Sequence, residues 1–264
     1  MTGPRDDWAV GDLYEPYVGR WSRPVALEFL AWLDVPDGRD WVDVGSGTGA
    51  LTEVIVRTAP RSVVGVDRSA DFVAYANDRI GSSIASFRTG DAQDLPLADD
   101  SVDAAVSGLV LNFVPDQARA VAEMSRVTRP DGVVAVYVWD YTGEMQMMRI
   151  FWDAAVELDR SAVEHDEGPR FPVCNPEALH ELFTGAGLRD VETRAIDVPT
   201  RFTDFDDYWT PFLGGHFPAP AYAMSLSEDA RAELRERTRS KLPVADDGSI
   251  ELIARAFAVR GSAG

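Results

Sequence analysis

The sequence predicts an α/β fold, a doubly wound and mostly parallel sheet covered on both faces by helices. Three observations predict it. Short, almost wholly apolar runs alternate with amphipathic stretches from Trp41 to Trp139. The first run, Trp41 to Val44, ends in the glycine turn Gly45-Ser-Gly-Thr-Gly49, after which Leu51, Val54 and Ile55 recur at helical spacing. The second run, Ser62 to Val66, ends in an acid, Asp67.

The elements follow in order. Tyr14, Tyr17, Arg20 and Trp21 make an aromatic and basic entry to an amphipathic helix expected from Ser22 to Leu33. Ser22 suits its N-cap and Pro24 its first turn. The opening strand and its helix end near Ala59-Pro60, and a helix from Ala70 to Ile80 follows the second strand. A third strand spans Ile84 to Thr89 and leads into Gly90-Asp-Ala-Gln-Asp-Leu-Pro-Leu97. The fourth, Val102 to Ser107, precedes a helix from Asp116 to Val127. Arg129-Pro-Asp-Gly132 reads as a turn, and Val133 to Trp139 as a fifth strand. The alternation then loosens. A Met- and aromatic-rich helix is expected from Glu144 to Leu158, another from Pro176 to Ala186, and strands from Val191 to Val198 and Ile250 to Val259. Between those last strands, Asp204 to Leu242 carries aromatics and a charged helix near Glu228 to Ser240.

Composition excludes several functions. The formal net charge is −19 and Lys241 is the only lysine, so the stripes of positive charge that nucleic acid or an anionic membrane requires are missing. No run approaches the ~20 apolar residues of a membrane span. Cys174 is the single cysteine, which precludes an intrachain disulfide and leads to the expectation of a cytoplasmic protein. The expected partner is a small molecule. His165, His180 and His216 are scattered without metal-ligand spacing, so a metal-free site is expected.

The glycine turn places a small polar ligand, of nucleoside type, at a helix N-terminus without a Cβ in the way. Asp67, at the end of the second strand, is spaced to accept hydrogen bonds from ribose hydroxyls. Asp91 and Gln93, at the end of the third, could read an adenine edge, although turn chemistry accounts for them equally well. No lysine follows the glycines, which removes a phosphate-binding P-loop.

In combination, Val42-Asp-Val-Gly-Ser-Gly-Thr-Gly49, Val64-Gly-Val-Asp67, Gly90-Asp-Ala-Gln-Asp-Leu-Pro96 and Arg129-Pro-Asp-Gly132 resemble the successive motifs of class I S-adenosylmethionine-dependent methyltransferases. The resemblance is to the small-molecule branch that includes the ubiquinone/menaquinone-biosynthesis type. It implies a Rossmann-like, seven-stranded sheet whose final strand is antiparallel, with helical insertions after strand five and between the last two strands. By that similarity Gly45, Ser46, Gly47, Thr48 and Gly49, with Asp43 beneath them, would wrap the methionine half. Asp67 would hold the ribose, Arg68 would flank the adenine, and Asp91, Ala92 and Gln93 would lie on its edge. Ser107, Gly108 and Leu109 would line the sulfonium pocket. The long connection before Ile250 departs from the short hairpin usual there.

On this reading residues 1–264 form one domain: a helical lid over 1–38, a cofactor-binding core over 39–142, and helical insertions over 143–174 and 203–248 that cap an acceptor. In the lid, Tyr17 and Arg20 would touch the cofactor, Arg20 through its carboxylate, and Tyr14 the acceptor. Asn112 and Trp139, at carboxyl ends of central strands, are candidate acceptor contacts, as are Asp140 and Tyr141 beside them. Met147, Met148, Phe151 and Trp152 from the first insertion, and Tyr208, Trp209 and Phe212 from the second, would line the acceptor pocket or fill a core. His216 and Tyr141 are candidate proton-handling groups. The expected activity is methyl transfer from S-adenosylmethionine to a small aromatic or lipophilic metabolite, leaving S-adenosylhomocysteine. The rivals are a nicotinamide-dependent oxidoreductase, whose Gly-x-Gly-x-x-Gly is absent, and a cofactor-binding protein without turnover.

Overall fold

The apolar runs pair side by side. The computed structural model describes residues 15–215 and 217–264. Its strands are β1 (Asp40–Val44), β2 (Ser62–Asp67), β3 (Ala85–Thr89), β4 (Val102–Gly108), β5 (Thr128–Trp139), β6 (Arg189–Phe202) and β7 (Ile250–Ser262). They form one seven-stranded sheet in the order β3-β2-β1-β4-β5-β7-β6. The pairs from β3 to β5 are all parallel, and β7 runs antiparallel to β5. The antiparallel final strand implied by the resemblance is therefore present.

The topology decides where a ligand goes. From β1 the chain steps outward to β2 and β3, then returns to the other side of β1 with β4 and β5. At such a reversal the connections leave the carboxyl ends of the two central strands in opposite directions, which opens a crevice there. The glycine turn follows β1, and Leu109 to Asn112 follow β4, so both line that crevice.

The chain divides into two compact units. The sheet unit comprises Ser22–Trp139, Val173–Ile196 and Ala256–Gly264; the aromatic unit comprises the segment ending at Trp21 with Asp140–Pro172 and Asp197–Arg255. In the sheet unit, Val42, Ala104, Ala105, Val106, Val134, Val136 and Val138 have no exposed surface, which is why these strands read as continuous apolar runs. Its helices are α1 (Arg20–Leu33, whose first two residues belong to the aromatic unit), α2 (Ala50–Val56), α3 (Ala70–Ile80), α4 (Gln117–Val127) and α7 (Pro176–Gly185). Ser69, Asp116 and Asn175 cap α3, α4 and α7 by accepting from the backbone N–H of Phe72, Arg119 and Ala178.

The aromatic unit holds α5 (Gln146–Leu158), α6 (Glu167–Arg170), α8 (Phe205–Trp209), α9 (Pro218–Ser225) and α10 (Glu228–Lys241). Its interior is a ladder of rings. Phe151 stacks on Phe212 at 4.4 Å, Trp152 and Trp209 flank Phe151, and Tyr17 stacks on Phe217 at 5.5 Å. Among the described residues no helix is long and apolar enough to cross a membrane.

Three local expectations are corrected. Ser22 is not an N-cap: α1 begins at Arg20, directly after a π-helical turn over Glu15–Gly19, and Pro24 lies inside it. Arg129 to Gly132 are not a turn ahead of the fifth strand. They lie inside β5 as a bulge, where the register with β4 shifts between Val102 and Ala104 and Asp131 takes φ 64°. The N–H of Asp131 donates to Ala263 and the N–H of Ala263 to Gly132, so pairing with the end of β7 holds the turn residues in the sheet. β6 and β7 also outrun their expected ends, because polar residues on their exposed face hide the pattern.

Candidate functional site

The turn after β1 is built by backbone geometry. Gly45, Gly47 and Gly49 take φ of 76°, 51° and 85°, a region that costs an L-residue about 1–2 kcal/mol. Their surroundings differ. A Cβ on Gly45 would lie 2.4 Å from the Val110 side chain and one on Gly49 2.5 Å from Ile80, whereas one on Gly47 meets nothing within 4 Å. Gly45 and Gly49 are therefore closed by this chain's own packing, and Gly47 presents an open backbone. Gly45 and Ser46 donate their N–H groups to the carbonyl of Val66, which ties the turn to β2.

Two acids hold the turn from below and beside. Asp43 is 1% exposed and accepts a 2.6 Å hydrogen bond from the Thr52 hydroxyl of α2. Burial pushes its carboxyl up to about 7; the Thr52 bond opposes the rise and the nearby Asp67 charge adds to it. Asp67 accepts from the N–H of Gly47 and from the N–H of Ser69, both at 2.8 Å. It is half-buried, and an ionised carboxylate has about four acceptor positions, so it can take further donors.

On the far wall, β4 ends in Ser107-Gly108-Leu109, and Leu109 takes φ 62°, strained for a side chain of its size. A Cβ on Gly108 would lie 2.5 Å from the Tyr137 hydroxyl, so the strand end packs against β5. Next to it, Asn112 is buried with neither amide atom hydrogen-bonded, and the Ser46 hydroxyl is likewise buried without a partner. Leaving such groups unpaired costs about 1–3 kcal/mol each. Unpaired polar atoms at a strand-end crevice are what a polar ligand would satisfy.

The loop after β3 uses its acids on itself. Asp91 accepts from the backbone and side-chain N–H groups of Gln93, at 2.9 and 3.1 Å, and these bonds lower its pKa. The Gln93 side-chain oxygen accepts from the Asp116 N–H, and its backbone carbonyl from Arg119. Both residues thus do the turn chemistry weighed for them in the sequence, and Ala92 sits between them. Arg68 is exposed beside the loop and draws the Asp91 pKa down with Arg119. Thr48 is buried in the glycine turn.

These residues, together with Asp43, Gly45, Ser46, Gly47, Gly49, Asp67 and Ser107 to Asn112, lie in the sheet unit. A domain description, "Methyltransferase domain", matches residues 42–136. The demethylmenaquinone methyltransferase of Desulfitobacterium hafniense is 33% identical to this chain, over 61% of it and 70% of that relative. The chain belongs to the class I S-adenosylmethionine-dependent methyltransferases.

The malonyl-[acyl-carrier protein] O-methyltransferase of Pectobacterium atrosepticum is 37% identical over 43% of this chain and 44% of that one. The chain thus spans about half the length of the first curated relatives it matches. In fold it is similar to phosphoethanolamine N-methyltransferase 2 of Haemonchus contortus, solved with phosphomonomethylethanolamine and S-adenosylhomocysteine. The TM-score is 0.60 and the identity 17%, covering 96% of this chain and 57% of that one. Polar groups that the family's cofactor would engage are present: the open backbone at Gly47, Asp67 as an acceptor, and the unpartnered Ser46 and Asn112.

The aromatic unit gathers most of the remaining candidates. Met147, Met148, Trp152, Tyr208, Trp209 and Phe212 are all buried, and the Tyr208 hydroxyl donates to the Met147 carbonyl at 2.8 Å. Tyr141 is buried 5.6 Å from the Phe171 ring. Trp139 is buried at the end of β5, in the sheet unit, paired with Ala256. Asp140 is spent on its own turn, accepting from the N–H groups of Gly143 and Glu144. Arg20 lies between the rings of Trp21 and Phe202, at 4.5 and 4.6 Å, and pairs with Asp207 at 3.0 Å. Its Nε and second terminal nitrogen are buried without partners. Tyr14 and His216 lie outside the described residues.

Sequence reasoning passed over Glu167. It is 2% exposed, its carboxylate accepts from the Trp152 indole N–H, and burial pushes it up to about 7. The signal available was Asp166-Glu-Gly-Pro169, an N-cap acid with an acid in the first turn, which marks a helix start inside an apparent loop.

Proposed function

We propose that this chain transfers the methyl group of S-adenosylmethionine to a small aromatic or lipophilic metabolite. The observation that supports the reading is the set of groups at the carboxyl ends of β1, β2 and β4 in the sheet unit: an open glycine backbone, an acid with spare acceptor positions and two unpartnered buried side chains. When bound, the cofactor supplies a methyl group on a positively charged sulfur. Asp67 would accept from the ribose hydroxyls and Gly47 would let the methionine half lie against the backbone. Arg68, Asp91, Ala92 and Gln93 would border the adenine, mainly through the shape of their loop. Ser46, Asn112 and the Ser107-Gly108-Leu109 end, strained at Leu109, would shape the wall next to the sulfur. Asp43 lies beneath the turn in its neutral form at acid pH, and a nearby cation favours its ionised form.

On the aromatic unit, Arg20 keeps two nitrogens and Tyr17 its hydroxyl without partners, groups that a ligand carboxylate or other polar atom would engage. The aromatic unit would receive the acceptor through Met147, Met148, Trp152, Tyr208, Trp209 and Phe212, excluding water. Catalysis would be chiefly positioning: holding the acceptor atom in line with the methyl group can lower the barrier by about 7–11 kcal/mol. O- and N-methyltransferases both occur among the similar proteins, so the atom methylated does not carry over from them.

Calorimetric titration with S-adenosylhomocysteine and, separately, with NAD tests the reading. Binding of the first and not the second is expected, with activity that survives a chelator. Tight binding of NAD, with no affinity for S-adenosylhomocysteine, would overturn it. Binding without turnover on a broad acceptor panel would reduce the chain to a cofactor-binding protein.

A further inference from the structure

The chain uses only part of the Arg20 guanidinium. One terminal nitrogen, Nη1, donates to Asp207 at 3.0 Å. Nε and Nη2, the side-on edge of the fork, are buried and have no hydrogen-bond partner among the described residues. The group is nevertheless held in place. Its carbon lies 4.5 Å from the ring centre of Trp21 and 4.6 Å from that of Phe202, and those two rings stand at 70° to each other. Asp207 is fixed in turn by the N–H of Thr203, at 2.9 Å. All of these residues belong to the aromatic unit.

Other donors at the same place are idle. The Trp21 indole N–H is buried without a partner, on a ring in direct contact with the guanidinium. The Thr200 hydroxyl is also buried and unpaired, two residues before Phe202 on the same buried face of β6. Arginine and tryptophan side chains can only donate. Burying donors without acceptors costs stability, and an acid on the same chain is the ordinary remedy. The chain has 44 acidic residues against 25 Lys and Arg. Among the described residues the guanidinium takes one of them, Asp207, and on a different nitrogen.

That surplus of donors specifies a ligand. Nε and Nη2 present two parallel N–H bonds, so the group they bind must offer two acceptor oxygens in one plane. A carboxylate does so, whereas a carboxamide offers one oxygen and sets an NH₂ against the second donor. The rings specify the rest. They continue from Phe202 to Tyr208 at 5.3 Å and from Tyr208 to Phe212 at 5.5 Å, which favours a planar aromatic body. Resting on the methyl-transfer reading above, we propose that the Nε–Nη2 edge of Arg20, with the Trp21 indole beside it, binds the carboxylate of an acceptor that is an aryl carboxylic acid.

The test uses the full chain saturated with S-adenosylhomocysteine and two probes, 2-naphthoate and 2-naphthamide. They share a ring system and differ in the carboxylate. Calorimetry should show 2-naphthoate binding at least about ten-fold tighter than the amide, as hydrogen bonds between charged groups imply. Arg20→Gln should bring the two affinities together by weakening 2-naphthoate while leaving the amide little changed. Asp207 is partly exposed and keeps the Thr203 N–H, so this neutral variant strands no buried carboxylate. Arg20→Lys keeps the charge and loses the parallel pair of donors, so its preference should fall between the two. Should Arg20→Gln fail to fold, Arg20→Lys alone decides, and an undiminished preference there overturns the proposal. Equal affinity for both probes in the unaltered chain, no binding of 2-naphthoate, or a preference that Arg20→Gln leaves intact would overturn it as well. Equal probe affinities joined to a loss of S-adenosylhomocysteine affinity in Arg20→Gln would overturn it by giving the edge to the cofactor's carboxylate. Failure of S-adenosylhomocysteine to bind the unaltered chain would instead overturn the methyl-transfer reading, and the two failures are read out separately.

Discussion

Asp67→Ala is the sharpest test of the sheet unit. The substitution removes the acceptor of two backbone hydrogen bonds, from Gly47 and Ser69, each at 2.8 Å, together with the proposed acceptor for ribose. A hydrogen bond to a charged group contributes about 1.5–3 kcal/mol. At about 1.4 kcal/mol per decade, losing the ribose contact alone lowers affinity roughly ten- to hundred-fold. Because Asp67 is half-buried, water can reach the freed N–H groups, so the loss from the turn itself should be modest and the fold should survive. Calorimetry with S-adenosylhomocysteine measures the first quantity and a thermal melt the second. Asp67→Asn keeps one oxygen and the shape of the side chain, and should fall between wild type and alanine. A folded Asp67→Ala protein with unchanged affinity would refute the ribose assignment.

The two glycines on either side of Ser46 should separate packing from binding. Gly45→Ala sets a methyl 2.4 Å from Val110 and should cost about 1–3 kcal/mol beyond its backbone strain, seen as a fall in Tm. Gly47→Ala has open space around it and should lose mainly cofactor affinity; equal melting temperatures for the two would count against this division. Asp43 carries a pH signature. Its pKa is raised from 3.8 to about 7, so the fold holds this proton more tightly than the unfolded chain does. That stabilisation is full below the unfolded value and is lost as pH climbs through about 7, with Glu167 acting in the same direction. Tm should therefore fall with rising pH over this window, and Asp43→Asn should flatten the fall; an unaltered slope would contradict it. Trp209→Ala, in the buried ring ladder, should cost about 3–5 kcal/mol, and a Tm close to wild type would show that the ring is not a packing element.

Much of the sheet unit was legible because its signals are local. Continuous apolar runs mark strands buried on both faces, and φ above zero needs glycine, so β1, its turn and α2 could be read from consecutive residues. Arg129 to Gly132 misled for the same reason: their turn chemistry is real, but pairing with Ala263, distant in sequence, keeps them in a strand. Ser22 looked like a cap because the π-helical turn ahead of α1 leaves no simple period.

The sequence by itself determined the fold class, the glycine cradle and the acid at the end of β2, since each depends on neighbours along the chain. Only the tertiary structure decided which polar groups remain without partners. Asp91 and Gln93 turn out to satisfy each other, Asp140 its own turn, and Asp166 an arginine 17 residues away. The Tyr17 hydroxyl and two nitrogens of Arg20 are left without partners. Hydrogen-bond satisfaction is a property of packing across long separations, and a pattern of residue types carries no record of it.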